Sequence, residues 1–275
     1  MRADRRPVLR DCVPPPHALT CRFMAEIRVV LFDIDGTLIR SGGAGVKAFE
    51  RTSATVFGIP DGTAHLQFAG RTDTGLVSHF LRHHGLPESE ENRRRFLHAY
   101  THLLGELLPN CPGAACPGVR QWLDALRHRP SPPLIGLLTG NIRLGAELKL
   151  RHYGLWDAFA LGAFGCDHSN RNELARIALE RCSKHLGEPL SGRNLLIIGD
   201  TPLDVECARS INAVSLAVAT GGSSLEELRA CNPDWLAPSL EDLAPELVLG
   251  EGAPPALPRN RRAAPAKRKQ TSPRP

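Results

Sequence analysis

The stretch Val29–Leu38, VVLFDIDGTL, is the part of the sequence that decides the fold. Its four leading apolar residues, bounded by a turn signal, predict a short buried strand of a parallel sheet. Asp33 and Asp35 then lie at the carboxyl end of this strand, where the strand period of two can direct both carboxylates to one side. Two carboxylates this close repel each other unless a cation lies between them or one is protonated.

These residue types suit phosphoryl chemistry. Asp33 can attack phosphorus as a nucleophile, and Asp35 can give a proton to the leaving oxygen and later take one from water. Gly36 permits the turn, and Thr37 can hold the turn or a carboxylate. A hard divalent cation would offset the acidic charge. The stretch therefore predicts a phosphoryl-transfer site, with a functionless acidic corner as the alternative.

Further apolar runs repeat this pattern and also end at polar or glycine residues. The predicted strands are 134–138, 195–198, 213–218 and a short one at 234–236, and the predicted helices are 118–129, 142–152, 172–185, 203–210 and 224–230. This alternation indicates an α/β fold with a doubly wound, Rossmann-like parallel sheet, whose ligands bind beyond the carboxyl ends of the strands. Thr139 and Asp200 lie at such ends, as Asp33 does.

Between the first strand and residue 118 the sequence shows helical patterning without a strand. Helices are predicted at 45–56, 74–84 and 89–107. We interpret residues 41–116 as an inserted all-helical cap that can exclude water from the crevice and select the substrate. Its predicted hinges are the glycines at 42, 43 and 45 and the CPGAACPG segment at 111–118. Residues 26–40 and 117–247 then form the α/β core.

Positive charge is concentrated at the two ends of the chain. The formal net charge is +5, but residues 1–23 carry five Arg against two Asp, and residues 251–275 carry seven Lys or Arg against one Glu. Residues 1–25 are predicted to be a disordered basic leader, although Met24 is an alternative start, and 248–275 a disordered Pro/Ala-rich tail. Because the middle of the chain is acidic, we expect no nucleic acid to be bound by the core.

Cysteine usage and hydropathy bear on the compartment. The eight cysteines are scattered without the paired CxxC spacing of a zinc site, which is typical of reduced thiols in an intracellular protein. No apolar run approaches the roughly 18 residues needed to span a bilayer. We therefore expect a cytoplasmic protein without a membrane partner, present as a monomer or a homodimer.

Three motifs follow one another at predicted strand ends: DIDGT at 33–37, LLTGN at 137–141 and IIGDTPLDV at 197–205. With them the chain resembles phosphatases of the haloacid dehalogenase superfamily, in particular phosphoglycolate phosphatase-like members with a helical C1-type cap inserted after the first motif. The resemblance covers roughly residues 26–247. It implies a phosphomonoester hydrolase that uses Mg²⁺ and an aspartyl-phosphate intermediate.

The resemblance also assigns roles to the acidic residues. Asp33 would form the aspartyl-phosphate, and Asp35 would act as general acid and then as general base. Asp200 would hold Mg²⁺ together with an oxygen of Asp33 and the backbone carbonyl of Asp35. Asp204 would reach the metal through water or position Asp200, and its alternative role is to complement the dipole at the start of a helix.

Phosphate binding is expected at the second and third motifs. Thr139, with Gly140 and Asn141, is predicted to open a helix whose N-terminus grips a phosphate oxygen, or simply to cap that helix. The family usually carries a lysine in its third motif, but the corresponding stretch here, FGCDHSNRNEL at 164–174, has none. We predict that Arg171 binds a phosphoryl oxygen and the nucleophile carboxylate together. Lys149 is the rival, although about 15 Å of helix separates it from Thr139, which makes direct reach unexpected unless the helix tilts inward.

Two polar clusters lie in the predicted cap. In GRTD at 70–73, the residues Arg71, Thr72 and Asp73 either contact the leaving group of the substrate or cap the following helix. The histidines at 79, 83 and 84 have spacings compatible with one helix face. Since no carboxylate or cysteine completes a metal set with them, we expect surface or partly packed side chains.

The leading hypothesis is a Mg²⁺-dependent phosphatase of a small phosphorylated metabolite. A dehalogenase would not need a proton donor at Asp35, and a phosphonate-cleaving enzyme would need a cap lysine for a Schiff base. Lys47, close to the hinge, is the only lysine between residues 36 and 130. Two alternatives stay open: a sugar-phosphate mutase built on the same core, and a non-catalytic scaffold that binds a phosphorylated ligand or a protein.

Overall fold

A computed structural model describes residues 26–250, so the predicted leader and the tail beyond residue 250 lie outside the described residues. The strands are β1 Val29–Phe32, β2 Ile39–Arg40, β3 Ala114–Ala115, β4 Leu134–Leu138, β5 Leu161–Ala163, β6 Leu195–Gly199, β7 Val214–Val218 and β8 Trp235–Ala237. The α-helices are α1 Ala44–Phe57, α2 Asp73–His83, α3 Glu90–Leu107, α4 Val119–Arg127, α5 Arg143–His152, α6 Arg171–Leu186, α7 Pro202–Ser210, α8 Leu225–Ala230 and α9 Pro245–Leu249.

Six strands form one parallel sheet in the order β5-β4-β1-β6-β7-β8. The strand Val29–Phe32 is central and fully buried. Its side chains alternate between the two faces: Val30 and Phe32 join the cluster that contains Trp122, whereas Val29 and Leu31 join the cluster packed on α6 and α7. A strand covered on both faces is apolar throughout, as predicted. The predicted α/β fold class, a doubly wound parallel sheet, is confirmed.

The sequence prediction misses short elements. The edge strand β5, LGA, has three residues and a central glycine, which leaves no periodicity to detect. The antiparallel pair β2 and β3 has two residues in each strand. At the other end, α9 extends to Leu249, and Val248 is buried in the core cluster. A disordered tail that begins at residue 248 is therefore wrong for its first residues.

The three helices α1, α2 and α3 share a hydrophobic cluster, which Ile142 at the start of α5 also joins. At its centre the ring of Phe49 lies 4.6 Å from that of Tyr100, and the ring of Phe80 lies 5.0 Å from that of Phe96. The β2–β3 pair joins the two chain segments that lead into and out of these helices. We propose from this arrangement that residues 41–116 form the cap domain.

Glycine is required at the entry to this helical segment. Gly42 and Gly43 have φ values of 61° and 80°, in the left-handed region that other residues rarely adopt. A side chain at Gly42 would also collide with the backbone of Pro112. The close approach of the two segments therefore depends on Gly42. Within the described residues, no helix combines the length and the apolar character that crossing a bilayer would require.

We predict that Phe96→Ala destabilises the protein by about 3–5 kcal/mol, because it leaves a cavity among the aromatic rings of α1, α2 and α3. Phe96 is fully buried. The free energy of unfolding, measured in urea, checks this. Leu247→Ala is the control: Leu247 is 60% exposed, and its truncation should change stability by no more than about 0.5 kcal/mol. Equal effects of the two variants would contradict the packing.

Candidate active site

The predicted site residues converge beyond the carboxyl ends of β1, β4 and β6. Asp33 follows β1 directly, and its backbone N–H donates to the carbonyl of Ile198 in β6 at 2.9 Å. Gly36, with φ of 87°, turns the chain immediately afterwards. A side chain at Gly36 or at Gly221 would collide with the carboxylate of Asp200. The two glycines therefore make the space that Asp200 occupies beside Asp33.

Arg171 is the first residue of α6 and lies buried between two carboxylates. Its Nη2 atom is 3.0 Å from Oδ1 of Asp33 and 2.5 Å from Oδ1 of Asp204. Nη2 also donates to the carbonyl of Leu138 at 3.3 Å, at the end of β4. Helix α6 starts at this position because the Asn170 side chain accepts from the backbone N–H of Asn172. The guanidinium thus contacts the predicted nucleophile, as the sequence prediction requires.

Lys149 also reaches the site, and the expectation that it lies too far away is wrong. Its Nζ is 2.5 Å from Oδ2 of Asp35 and 2.6 Å from Oδ1 of Asn141. Helix α5 begins only at Arg143, so about 9 Å of helix, rather than 15 Å, separates Lys149 from its start. Helical side chains also lean toward the N-terminus, which shortens the distance further.

Asn141 completes this second charged group. Its side-chain amide donates to Oδ2 of Asp35 at 2.8 Å and to Oγ1 of Thr139 at 2.9 Å. The expectation that Thr139 opens or caps the helix is wrong, because Ile142 occupies the N-cap position. Thr139 is instead fully buried at the end of β4. The site therefore has one cation on each predicted catalytic aspartate, Arg171 on Asp33 and Lys149 on Asp35.

Asp200 and Asp204 have different surroundings. Oδ1 of Asp200 accepts from the hydroxyl of Thr37 at 3.1 Å. Oδ2 of Asp204 accepts from the backbone N–H and hydroxyl of Thr201 at 3.0 and 2.7 Å, in a capping box at the start of α7. Since its Oδ1 atom contacts Arg171, Asp204 uses both oxygens within the protein. Asp204 thus has the contacts of a helix-start residue, which was the predicted alternative role. Asp204 also holds the guanidinium of Arg171 in place.

The acidic cluster bears a strong excess of negative charge. Carboxylate oxygens of Asp33, Asp200 and Asp204 lie within 4.8 Å of one another. Burial, reinforced by Asp204 and Asp33, raises the pKa of Asp200 to about 8. Burial likewise raises the pKa of Asp33 to about 6, although Arg171 opposes the shift. A set of buried oxygen donors that resists ionisation in the absence of a cation fits a hard divalent ion such as Mg²⁺.

Asp35 does not belong to that carboxylate cluster. Its side chain is 42% exposed and faces Lys149 and Asn141. The carboxylate set that the structure brings together therefore consists of three of the four predicted metal residues. A contribution of Asp35 through its backbone carbonyl stays a prediction.

The GRTD loop docks the cap helices on the core. Oγ1 of Thr72, the N-cap of α2, accepts from the backbone N–H of Gly75 at 3.1 Å and donates to the carbonyl of Ser169 at 2.7 Å. Oδ2 of Asp73 accepts from the backbone N–H of Ile142 at 2.8 Å, at the start of α5. Burial raises the pKa of Asp73 to about 6. Thr72 and Asp73 thus join α2 to the core, whereas Arg71 is exposed.

Residues of the α/β core and residues of segment 41–116 together line a cavity of about 420 Å³. The cavity wall includes all the predicted site residues except Thr72 and Asp204. It also includes residues that the sequence analysis did not predict as site residues: Arg40, Ser41, Phe49, Phe68 and Tyr100. Arg40 lies three residues after the first motif, and its Nε donates to the carbonyl of Thr220 at 2.6 Å. Its position beside the motif was the available signal. Phe49 and Tyr100 lie on apolar helix faces, which indicate a core and not a cavity wall, and Phe68 lies in the loop between α1 and α2.

A parallel sheet that presents buried carboxylates and two cations beneath a helical segment defines an enzyme site suited to anionic, phosphorylated ligands. The model that describes haloacid dehalogenase-like hydrolases matches residues 27–212. The chain belongs to this family. The resemblance to its phosphatases that the three motifs predict is therefore confirmed.

Individual proteins that resemble this chain in sequence or structure are consistent with this family assignment. The chain is 29% identical over 223 residues to the phosphoglycolate phosphatase of Synechococcus elongatus, covering 79% of this chain and 95% of that protein. A hydrolase from Pseudomonas syringae has the same fold, with a TM-score of 0.62, 21% identity and coverage of 82% of this chain and all of that one. The β-phosphoglucomutase of Clostridium difficile gives a TM-score of 0.62 at 19% identity, covering 81% of this chain and 95% of that one.

We predict that Mg²⁺ stabilises the protein more at about pH 8 than at about pH 5.5. The pKa of Asp200 in the folded chain, about 8, exceeds its unfolded value. The metal-free protein therefore loses stability as pH rises from about 5.5 to about 8, because Asp200 ionises in its buried site. A bound cation offsets the repulsion between the ionised carboxylates. At about 100 times its Kd and about pH 8, Mg²⁺ should raise Tm by about 5–10 °C relative to EDTA.

Asp200→Asn provides the control for this measurement. Without the buried charge, the variant should melt above metal-free wild type at about pH 8 and respond weakly to Mg²⁺. Differential scanning fluorimetry across the pH series gives both quantities. A Mg²⁺ shift that is the same at both pH values would contradict the assigned electrostatics.

Proposed function

We propose that this protein is a Mg²⁺-dependent phosphomonoester hydrolase that acts on a small phosphorylated metabolite through an aspartyl-phosphate at Asp33. The observation that carries the proposal is the 3.0 Å contact between Nη2 of Arg171 and Oδ1 of Asp33 in a buried, carboxylate-lined crevice. A carboxylate in this position is held for attack, and the same guanidinium can bind the phosphoryl group.

In the first step, an oxygen of Asp33 forms a bond to phosphorus while the bond from phosphorus to the leaving oxygen breaks. Asp35 gives its proton to that oxygen. In the second step, water attacks the phosphorus and gives a proton to Asp35. The Asp33–phosphorus bond breaks, and the carboxylate and inorganic phosphate are restored. Asp33 and Asp200 would hold Mg²⁺, which when bound would supply positive charge to the phosphoryl oxygens.

Donors for the phosphoryl oxygens surround Asp33. The hydroxyl of Thr139 accepts from Asn141 and retains its own proton for donation. Nε of Arg171 is buried and has no hydrogen-bond partner among the described residues. A buried, unpaired donor is costly unless a ligand satisfies it. These groups support phosphate binding at Thr139, Gly140 and Arg171.

Lys149 acts as a positioning residue in this scheme. Its ammonium and the amide of Asn141 both bond to Oδ2 of Asp35. They hold the carboxyl group toward the cavity, where the leaving oxygen must lie. We infer that the two cations divide the work expected of one family lysine: Arg171 serves the nucleophile, and Lys149 serves the general acid and base.

The cavity favours a small anionic substrate. Arg40 and Arg71 both line it and are exposed. A second negative charge on the substrate would therefore find a partner away from Asp33, and a phosphoglycolate-like compound, the substrate class named for the Synechococcus relative, has this chemistry. A sugar-phosphate mutase is the second candidate, since the Clostridium mutase shares the fold.

We also infer a cytoplasmic location. Within the described residues all six cysteines are free, and Cys111 and Cys116 are buried without a bond to each other. A compartment that keeps thiols reduced agrees with this state.

The test is release of inorganic phosphate from a panel of phosphorylated metabolites and p-nitrophenyl phosphate, with Mg²⁺ and with EDTA. We predict Mg²⁺-dependent turnover that falls by at least about 10⁴-fold in Asp33→Asn. Asp124→Asn, at an exposed position on α4, is the matched control and should keep wild-type kcat/KM.

Each other result assigns a different function. Conversion of a hexose 1-phosphate to its isomer without free phosphate would replace the hydrolase by the mutase. Ligand binding without turnover of any compound would leave a non-catalytic scaffold, and the proposal would fail.

We predict that Lys149→Met lowers kcat by about 10- to 100-fold with little change in KM, because it releases the proton donor and not the phosphate. Lys184→Met, at an exposed position on α6, is the control for loss of a lysine. Steady-state kinetics on the best substrate of the panel gives both constants. An increase in KM at constant kcat would instead assign Lys149 to substrate binding.

A further inference from the structure

A second cluster of possible metal ligands lies at the far end of α2 from the active site. His79 and His83 are on α2, His84 is its C-cap residue, and His65 belongs to the loop between α1 and α2. Asp73, at the other end of the helix, docks on the core. About 15 Å of helix separates the two ends. The histidine cluster is therefore distinct from the carboxylate crevice.

Three of these imidazoles meet closely. Ring nitrogens of His65, His83 and His84 lie within 4.8 Å of one another. The rings of His65 and His83 are stacked, with centroids 3.6 Å apart and planes at 11°. The sequence indicated no carboxylate or cysteine that completes a metal set with the histidines at 79, 83 and 84. It did not point to His65, which lies 14 residues before His79 and which only the fold of the loop brings near.

The tautomer of His84 is fixed by the backbone. Nε2 of His84 lies 2.7 Å from the carbonyl oxygen of Gly62, which can only accept, so Nε2 carries the proton. Nδ1 of His84 is left with a free lone pair. A ring N–H that donates to a backbone carbonyl is the usual arrangement of metal-binding histidines, since it orients the ring and raises its basicity as a ligand.

His65 has an unused nitrogen. Its Nε2 atom is buried and has no hydrogen-bond partner among the described residues. Burial and the neighbouring rings of His83, His79 and His84 lower the pKa of His65, which favours the neutral form. Packing between aromatic rings explains the stacking but leaves this nitrogen unsatisfied.

We propose that His65, His83 and His84 bind one Zn²⁺ ion. Imidazole nitrogen is a preferred ligand of this metal, and three histidines leave the fourth tetrahedral position for water or for His79, whose ring centroid is 5.1 Å from that of His65. His83 is exposed, so its ring is free to turn out of the stack and direct a nitrogen at the ion.

Binding of Zn²⁺ would affect the loop between α1 and α2. Residues 58–72 connect α1 to α2, and Arg71 at the end of this segment lines the cavity. A metal bound to His65 on the loop and to His83 and His84 on the helix would tie the two together. The site would thus restrain the loop that presents Arg71 to the substrate.

The test is Zn²⁺ binding by the full-length protein without a histidine tag, in excess Mg²⁺ so that the aspartate crevice is occupied. Isothermal titration calorimetry and metal analysis after gel filtration should give one Zn²⁺ per chain. His65→Ala and His83→Ala should each lower the affinity by at least about tenfold. His128→Ala, at the exposed C-cap position of α4 outside the cluster, should bind like wild type.

A second probe protects the test against misfolding. His83→Gln changes an exposed side chain, and its thermal melting without Zn²⁺ should match wild type, whereas the Zn²⁺-induced rise in Tm should be lost. Substituted Co²⁺ should give the visible absorption of tetrahedral coordination in wild type only. One bound Zn²⁺ with unchanged affinity in the His65→Ala/His83→Ala double variant, or no bound Zn²⁺ in wild type, would overturn the proposal.

Discussion

Charge compensation around Asp33 is the constraint on which the rest of the structure depends. Asp33, Asp200 and Asp204 are buried together, which is unfavourable unless cations lie among them. The guanidinium of Arg171 supplies one positive charge and contacts two of the three carboxylates. Burial, reinforced by Asp204 and Asp33, raises the pKa of Asp200, and such a set of buried oxygen donors fits a hard divalent ion.

Close backbone contacts and hydrogen bonds join α2 and the loop before it to the core. Gly140 approaches the backbone of Arg71 so closely that a side chain at Gly140 would collide with it. The Gly140 carbonyl accepts from the backbone N–H of Asp73 at 2.8 Å, and the Asp73 carboxylate accepts from the backbone N–H of Ile142 at the start of α5. Nη1 of Arg171 reaches the carbonyl of Gly70 at 3.2 Å. The guanidinium that contacts Asp33 thus also bonds to the loop that precedes α2.

The sequence predicted local features correctly but did not predict contacts between residues that are far apart in the chain. The strand at Val29 and the positions of its two aspartates follow from the apolar run and the strand period. Both signals are local and can be read without knowledge of tertiary contacts. The contact of Lys149 with Asp35 depends on where α5 starts, which is set by Ile142 and Asp73 and not by Thr139. Motif positions were therefore predictable, whereas the division of charge between two cations was not.

The departure from the expected third motif follows from the geometry of the two cations. A lysine presents one point charge, whereas the planar guanidinium of Arg171 contacts Asp33 and Asp204 with one nitrogen and Gly70 with another. Because Asp204 also caps α7 through Thr201, this arginine joins the starts of α6 and α7 to Asp33. A lysine at this position would have to reach both carboxylates and the carbonyl of Gly70 from a single nitrogen. Arginine at 171 is thus consistent with a core in which Lys149 already supplies the ammonium, on the other side of the crevice beside Asp35.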